Sequence, residues 1–384
     1  MNRPKYEISH VIDKFAGQFY AKCHPNEYQR KTLRALSICR TAELGYHKDK
    51  CDNESCAKIR ISYNSCGNRH CPKCQSVKQA FWVDDLLQMT LPVKHYHIVF
   101  TIPHQLNTIC ILNSEWFYGQ MFACVWDTLR TFGYSHFGIE SGAVCVLHTW
   151  GQNMSLHPHI HCIVSAIGES LAGNMKHIGG NGKFLYPVKQ LSPTFRGKLM
   201  TNIKRELNKK QLLKQYQPII DIAWQKPWNV NTKPSFGKPE HVVKYLGQYT
   251  HRVAITNQRL LNIDDSGVNF MHKDYAHGAK QLPTHLDGVE FLRRFCQHIL
   301  PKRFVKIRRY GIYSSRYRTL RQKANNKMVV KPKKETTQER ILRITGFDIY
   351  QCPYCISGRM HTVEIVPRVR SPNYLKEHFM QYKQ

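Results

Sequence analysis

Residues 143–167 read AVCVLHTWGQNMSLHPHIHCIVSAI, and the residue pattern of this segment predicts how the surrounding chain folds. Two runs rich in apolar and β-branched residues, at 143–150 and 159–167, flank the eight-residue polar connection GQNMSLHP. Two such runs on either side of a short connection are typical of antiparallel strands that pair with each other. We therefore expect these runs to be neighbouring strands of one sheet.

Histidines occur at alternate positions where the second run begins. His159 and His161 are two residues apart, so a strand directs both imidazoles to the same face of the sheet. Two neutral imidazoles on one face can bind a divalent cation together. Simple pairing across the connection places His148 opposite His161 and makes it the candidate third ligand, with Gln152 in the connection as the alternative.

A third histidine, His157, precedes a proline, so we expect it to support the site or to face a substrate. The competing interpretation is that all these histidines are hydrogen-bonded residues of the core. The pattern His-apolar-His, with a further histidine on the adjacent strand, favours the metal site.

Two tyrosines share one face of a predicted helix at 238–254. Tyr245 and Tyr249 in YLGQY are four residues apart, which places both hydroxyl groups on the same side. They could be an aromatic stripe in the core. A phenolic oxygen can also attack a phosphodiester and hold a DNA end covalently, provided that a metal or cations neutralise the charge that develops on phosphorus.

Cysteines are concentrated between positions 51 and 74 of a chain that has 14 in all. Cys71-Pro-Lys-Cys74 has the spacing that lets two thiolates bind one tetrahedral zinc ion, and Cys51 with Cys56 would supply the other two ligands. Cys66, with His70, is an additional candidate, which could replace one of the four or hydrogen-bond to them. A pair with the same spacing, Cys352 and Cys355, has no obvious partner in the sequence.

The chain is strongly basic, with 57 Lys and Arg against 26 Asp and Glu and a formal net charge of +31 over 384 residues. This excess favours a polyanionic partner, nucleic acid first, over a generally adhesive basic protein. Basic residues alternate with aromatic ones after position 300, where side chains can neutralise phosphates and stack on bases. The predicted DNA contacts are Lys302, Arg303, Lys306, Arg308, Arg309, Arg316 and Arg318.

The sequence has no signal-peptide core and no uninterrupted apolar stretch of membrane-spanning length, so we expect a cytoplasmic protein. Helices are predicted from apolar periodicity and capping residues. Their ranges are 26–40, 75–89, 118–133, 201–216, 238–254 and 290–301.

Five segments, in this order, resemble the HUH single-strand DNA nucleases, and among them the two-tyrosine rolling-circle transposases of bacterial insertion sequences. The resemblance extends from about residue 25 to residue 320. The segments are SCGNRHCPKCQ (65–75), HYHIVFTIPH (95–104), HTWGQNMSLHPHIH (148–161), KYLGQYTHRVAI (244–255) and EFLRRFCQHILPKRFVKIRRYG (290–311).

This resemblance implies an α+β fold in which an antiparallel sheet flanked by helices carries the histidines, preceded by a small domain with structural Zn²⁺. It implies Mg²⁺ or Mn²⁺ at His148, His159 and His161, and Tyr245 and Tyr249 as the nucleophiles. The domains would be a zinc-binding segment at 1–90, a catalytic segment at 91–265, a basic segment at 266–330 and a tail at 331–384.

The expected activity is metal-dependent cleavage and transfer of single-stranded DNA through a 5′-phosphotyrosine, without a nucleotide cofactor or a membrane. A replication initiator or relaxase would use the same chemistry, and a non-catalytic zinc-dependent DNA-binding protein would explain the charge and the cysteines. A zinc hydrolase would need a carboxylate base near the histidines, and none lies between Glu140 and Glu169. The sequence leaves the oligomeric state open.

Overall fold

The computed structural model describes residues 4–178, 185–236, 241, 247, 253–274, 278–317 and 335–368. Within these residues, the longer helices are α1 (Ile8–Cys23), α2 (Glu27–Ser37), α3 (Pro72–Met89), α4 (Asn107–Leu112), α5 (Ser114–Phe137), α6 (Val188–Lys209), α7 (Leu213–Gln225), α8 (Gly288–Gln297) and α9 (Thr337–Thr345). The strands are β1 (Tyr46–Cys51), β2 (Ile59–Tyr63), β3 (His95–Thr101), β4 (Ile139–Trp150), β5 (Leu156–Ser170), β6 (Met175–His177), β7 (Val230–Phe236), β8 (Leu260–Ile263), β9 (Val268–Asp274), β10 (Lys280–Leu286), β11 (Ile307–Tyr310) and β12 (Met360–Val366).

The largest sheet is antiparallel, with strand order β11-β4-β5-β3-β7 and with β6 paired to β5. The predicted pairing of β4 with β5 is confirmed, but its register is not. His148 lies opposite His159, and Val146 lies opposite His161. Strand β5 begins at Leu156 and includes Pro158, so the strands pair closer to the turn than the eight-residue connection suggests. A shift of two residues leaves every side chain on its predicted face.

Alternate residues of β4 and β5 enter two separate apolar layers. Cys145, Leu147, Ile160 and Cys162 pack into the largest core, together with residues of α5 and α6. Val144, Val146 and Ile163 belong to a second layer, against which residues of α3 pack. The three histidines follow the alternation of this second layer, so they lie on the α3 side of the sheet.

Helix boundaries follow local capping chemistry. The Asn113 side chain accepts a hydrogen bond from the Trp116 amide at the start of α5, and Gly138 ends the helix with a φ of 67°. This helix therefore extends beyond the predicted 118–133 at both ends. The predicted helix at 201–216 is two helices, because the chain turns between α6 and α7, where Gln211 has a φ of 59°.

A further core joins segments that are far apart along the chain. Helices α1 and α2 pack against α8 and the three-stranded sheet β10-β9-β8. Strand β12, from the C-terminal segment, pairs with β1 in another three-stranded sheet of order β12-β1-β2. The predicted α+β class is confirmed, while the four-segment division remains a prediction. No described helix has both the length and the apolar character needed to cross a membrane.

Candidate functional site

The structure brings three histidines together on the α3 side of the central sheet. One ring nitrogen each from His148, His159 and His161 lies within 4.8 Å of the others. His148 and His161 are buried, and His159 is half-buried. This separation is compatible with three ligands of a single cation. Gln152, the alternative ligand, lies in the turn that connects the two strands, where its backbone carbonyl accepts a hydrogen bond from Arg259.

Hydrogen bonds orient two of these imidazoles. His159 Nδ1 lies 2.7 Å from the His157 carbonyl oxygen and therefore donates to it, which leaves Nε2 as the nitrogen that can bind a metal. His161 Nδ1 lies 2.9 Å from Nε2 of His97 on β3, and the two rings stack. His97 was not among the residues predicted from the sequence. The alternation of His95 and His97 in HYHIVF, on a strand that neighbours β5, was the available signal.

Burial favours the neutral form of His159, of His161 and of their neighbour His97. It lowers the pKa of His159 to about 4 and that of His97 to about 4, and it lowers the pKa of His161 well below its usual value. Neutral imidazole is the form that binds a cation. Three imidazoles suit Mn²⁺ and other transition ions, whereas Mg²⁺ would depend more on oxygen ligands from phosphate and water.

Three side chains from distant parts of the sequence hydrogen-bond to the turn between β4 and β5. Arg259, Arg294 and His298 hydrogen-bond to the consecutive backbone carbonyls of residues 152–154. His298 also contacts the Thr149 hydroxyl through Nδ1 at 3.2 Å. These contacts fix the ends of both strands beside the histidines. These contacts are not predictable from local sequence, because the donors lie more than 100 residues from the turn.

The predicted nucleophiles Tyr245 and Tyr249 lie outside the described residues. Gly247, between them, is described and is helical. A Cβ atom added to Gly247 would lie 2.2 Å from Cγ2 of Val83 on α3. Gly247 therefore lies in close contact with α3, which packs on the histidine side of the sheet.

Eight of the 14 cysteines form two clusters of four sulfur atoms rather than the single predicted site. In each cluster the sulfur atoms lie within 4.8 Å of one another. The first cysteine cluster consists of Cys39, Cys66, Cys71 and Cys74, and the second of Cys51, Cys56, Cys352 and Cys355.

The predicted set of Cys51, Cys56, Cys71 and Cys74 is therefore wrong as a single site. The reason is topological. Cys51 ends β1 and Cys56 follows in the turn before β2, so both lie at the end of a hairpin that pairs with β12. Cys71 instead precedes α3 and packs with Cys39, which follows α2. Cys66, an additional candidate, belongs to the first cluster, and His70 belongs to neither.

Sulfur spacing in the first cluster matches tetrahedral zinc. The Sγ atoms of Cys39 and Cys74 are 3.6 Å apart, those of Cys66 and Cys74 are 3.7 Å apart, and those of Cys71 and Cys39 are 3.6 Å apart. Four thiolates at the usual Zn–S distance lie about 3.8 Å from one another. Backbone N–H groups of Cys66 and Asn68 donate to Sγ atoms of the cluster. The four residues therefore fit a structural zinc ion.

The predicted DNA-binding residues divide by exposure. The exposed ones are Lys302, Arg303, Arg309 and Arg316, whereas Lys306 and Arg308 are half-buried and Arg318 lies outside the described residues. The Arg308 guanidinium lies over the ring of Phe122 at 4.4 Å. Burial and the charge of Arg69 lower the pKa of Lys306 to about 8.

Arg69 connects the first cysteine cluster to this basic stretch. It lies two residues before Cys71, and its guanidinium donates to three backbone carbonyls, those of Leu300, Pro301 and Phe304. The loop of the first cluster and the start of the basic stretch therefore form one continuous surface.

Comparison with known proteins gives two family matches. Residues 142–322 match the family described as "Putative transposase", and residues 11–102 match the "Transposase zinc-binding domain". The first stretch contains the histidine cluster, and the second contains the first cysteine cluster. No solved structure matches the chain.

Two curated relatives agree with these matches. "Putative transposase y4qJ" of Sinorhizobium fredii (strain NBRC 101917 / NGR234) is 37% identical over an alignment length of 398, and the alignment covers 97% of this chain and 98% of the relative. The transposase for insertion sequence element IS801 of Pseudomonas savastanoi pv. phaseolicola is 26% identical over 294 residues, which cover 74% of this chain and 70% of that protein. The chain thus belongs to the family of insertion-sequence transposases that carry a zinc-binding domain.

Proposed function

We propose that the chain cleaves and transfers single-stranded DNA through a covalent 5′-phosphotyrosine, as a metal-dependent HUH transposase. The observation that carries this proposal is the group of three buried or half-buried imidazoles within 4.8 Å of one another, inside the region that matches a transposase family. The DNA would be the ends of the mobile element and its target. The protein would act on the bacterial nucleoid in the cytoplasm.

His148, His159 and His161 would hold the catalytic Mg²⁺ or Mn²⁺. A divalent cation there would polarise the scissile phosphate and stabilise the charge of the transition state. The protein's own contribution is to fix the ligands: His97 and the His157 carbonyl orient two imidazoles, and their pKa values keep them neutral at pH 7.

Tyr245 or Tyr249 would be the nucleophile. Its phenolic oxygen attacks phosphorus and loses its proton, the bond from phosphorus to the 3′ oxygen breaks, and that oxygen leaves as a 3′-hydroxyl. The other tyrosine allows a second cleavage while the first end is held. A 3′-hydroxyl then attacks a phosphotyrosine, which transfers the strand and restores the tyrosine. No nucleotide cofactor is needed, because the phosphotyrosine retains the energy of the broken bond.

The position of Gly247 supports this assignment. It lies between the two tyrosines and contacts α3, which packs on the same face of the sheet as the imidazoles. The DNA strand would bind to the surface formed by the loop of the first cysteine cluster and the start of the basic stretch, which Arg69 joins. The exposed cations Lys302, Arg303, Arg309 and Arg316 would neutralise its phosphates.

An adduct assay tests the proposal. The protein is incubated with Mg²⁺ or Mn²⁺ and single-stranded oligonucleotides from the ends of its element, and a denaturing gel is used to find covalently bound DNA. We expect an adduct that disappears when Tyr245→Phe and Tyr249→Phe are combined. Tyr354→Phe, at an exposed tyrosine in the C-terminal segment, is the matched control and should retain it.

Two results would contradict the proposal. An adduct that survives the double substitution would exclude these tyrosines as the nucleophiles. Binding without cleavage in every divalent metal would favour a non-catalytic zinc-dependent DNA-binding protein.

A further inference from the structure

We propose that the second cysteine cluster is a separate structural zinc site, which joins the C-terminal segment of the chain to its zinc-binding domain. Two ligands, Cys51 and Cys56, lie within the stretch that matches the zinc-binding domain. The other two, Cys352 and Cys355, lie beyond both matched stretches. The inference rests on the arrangement of these sulfur atoms and does not depend on the proposed DNA chemistry.

The distances between sulfur atoms are those of one mononuclear site. The Sγ atoms of Cys51 and Cys355 are 3.7 Å apart, and those of Cys56 and Cys352 are 3.8 Å apart. These separations match the spacing of about 3.8 Å for four thiolates around tetrahedral zinc. They are far longer than a disulfide bond of about 2.05 Å. Four cysteines with no open position are typical of a structural zinc site.

The backbone around Cys352 and Cys355 has the form of a metal-binding turn. The N–H group of Gly358 donates to Cys355 Sγ at 3.3 Å, and the Ile356 amide donates to the Cys352 carbonyl at 3.0 Å. A Cβ atom at Gly358 would lie 2.4 Å from Cys51 Sγ. The turn thus approaches Cys51 so closely that it leaves no space for a side chain.

Contacts between the two segments continue beyond the sulfur atoms. Strand β12 pairs with β1 from Met360 opposite Cys51 to Val366 opposite Tyr46. The Asp52 side chain accepts a hydrogen bond from the Arg359 amide at 2.7 Å. Both pairs of cysteines are therefore held at one end of a continuous sheet, and a single ion there would bind the two segments to each other.

Cobalt substitution tests this inference on the full-length protein. Co²⁺ replaces zinc, and the thiolate-to-cobalt charge-transfer absorbance counts sulfur ligands without a contribution from the histidine cluster. We expect two thiolate-bound ions and eight thiolates per chain. Combining Cys352→Ser with Cys355→Ser should reduce these values to one ion and four thiolates. Cys23→Ser, at a half-buried cysteine outside both clusters, should leave them unchanged.

Three results would overturn the inference. The first is a single thiolate-bound ion in the wild-type chain, and the second is a double variant that retains two. Elemental analysis of the protein as purified should find zinc, so iron in its place would also contradict the assignment. The number of thiolate-bound ions in the wild-type chain is sufficient to overturn the inference, so the test does not depend on whether the double variant folds.

Discussion

The histidine cluster and the second cysteine cluster differ most in how the chain assembles them. The histidines lie on two strands that are joined by one short turn and pair directly with each other. The two pairs of cysteines are about 300 residues apart, with 304 between Cys51 and Cys355 and 296 between Cys56 and Cys352. The histidine site therefore depends on the register of one strand pair, whereas the cysteine site depends on the association of two segments that are about 300 residues apart.

The largest expected effect is on DNA cleavage when two histidine ligands are removed, and the cysteine clusters should not be affected. We expect His159→Ala combined with His161→Ala to reduce DNA cleavage about 10³-fold or more, because the charge on phosphorus loses its stabilisation. Cleavage rates and thiolate-bound cobalt should be measured on the same preparation. The cobalt count should not change. His104→Ala, at an exposed histidine outside the cluster, is the control. Undiminished cleavage in the double variant would exclude the metal assignment.

Mild acid should destabilise the folded protein, because it protonates His298, which hydrogen-bonds to the β4–β5 turn. Burial lowers the pKa of His298 to about 4 from 6.5, so unfolding takes up a proton that the folded state excludes. The stability contributed by neutral His298 is present above pH 6.5 and is lost as the pH falls towards 4. The loss is about 3 kcal/mol for this one residue.

The measurement is urea unfolding at several pH values between 7 and 4.5. In His298→Gln, the free energy of unfolding should depend less steeply on pH, by up to about 1.4 kcal/mol per pH unit. Equal slopes in the variant and the wild type would show that His298 takes up its proton equally in both states.

His97 should tune the metal affinity without taking part as a ligand. We expect His97→Phe to weaken Mn²⁺ binding by about 10–100-fold, because His161 loses the partner that orients its ring. Titration with Mn²⁺ monitored by electron paramagnetic resonance gives the affinity. His97→Gln, which retains a hydrogen-bonding group, should recover part of it. An unchanged affinity in His97→Phe would limit His97 to a packing role.

The smallest expected effect concerns the contact between α3 and the segment of the tyrosines. Gly247→Ala should destabilise the protein by about 1–2 kcal/mol, since the added methyl group displaces Val83. Thermal unfolding measures this change. Gly119→Ala in α5 is the matched control. A methyl group added there would have open space within 4 Å, so this substitution should be neutral or stabilising. Equal effects at both positions would contradict the close contact.

The strand pair and its histidines were predictable because their information is local. Alternation placed His159 and His161 on one face, and the two-residue error in register did not change that face. The distribution of the cysteines was not predictable in the same way. Cys39 lies before the dense stretch, and Cys352 and Cys355 lie far beyond it. Spacing identifies a pair of ligands, but only tertiary structure decides which pairs share an ion.

Pairing of β12 with β1 has a consequence for the order of synthesis. The ribosome synthesises β1 and β2 roughly 300 residues before β12. At 5–20 residues per second, the interval between them is about 15–60 s. During that interval β1 and β2 form only a two-stranded hairpin, which is marginally stable by itself. Completion of this sheet thus requires translation as far as β12, and a chain terminated before β12 would lack the third strand.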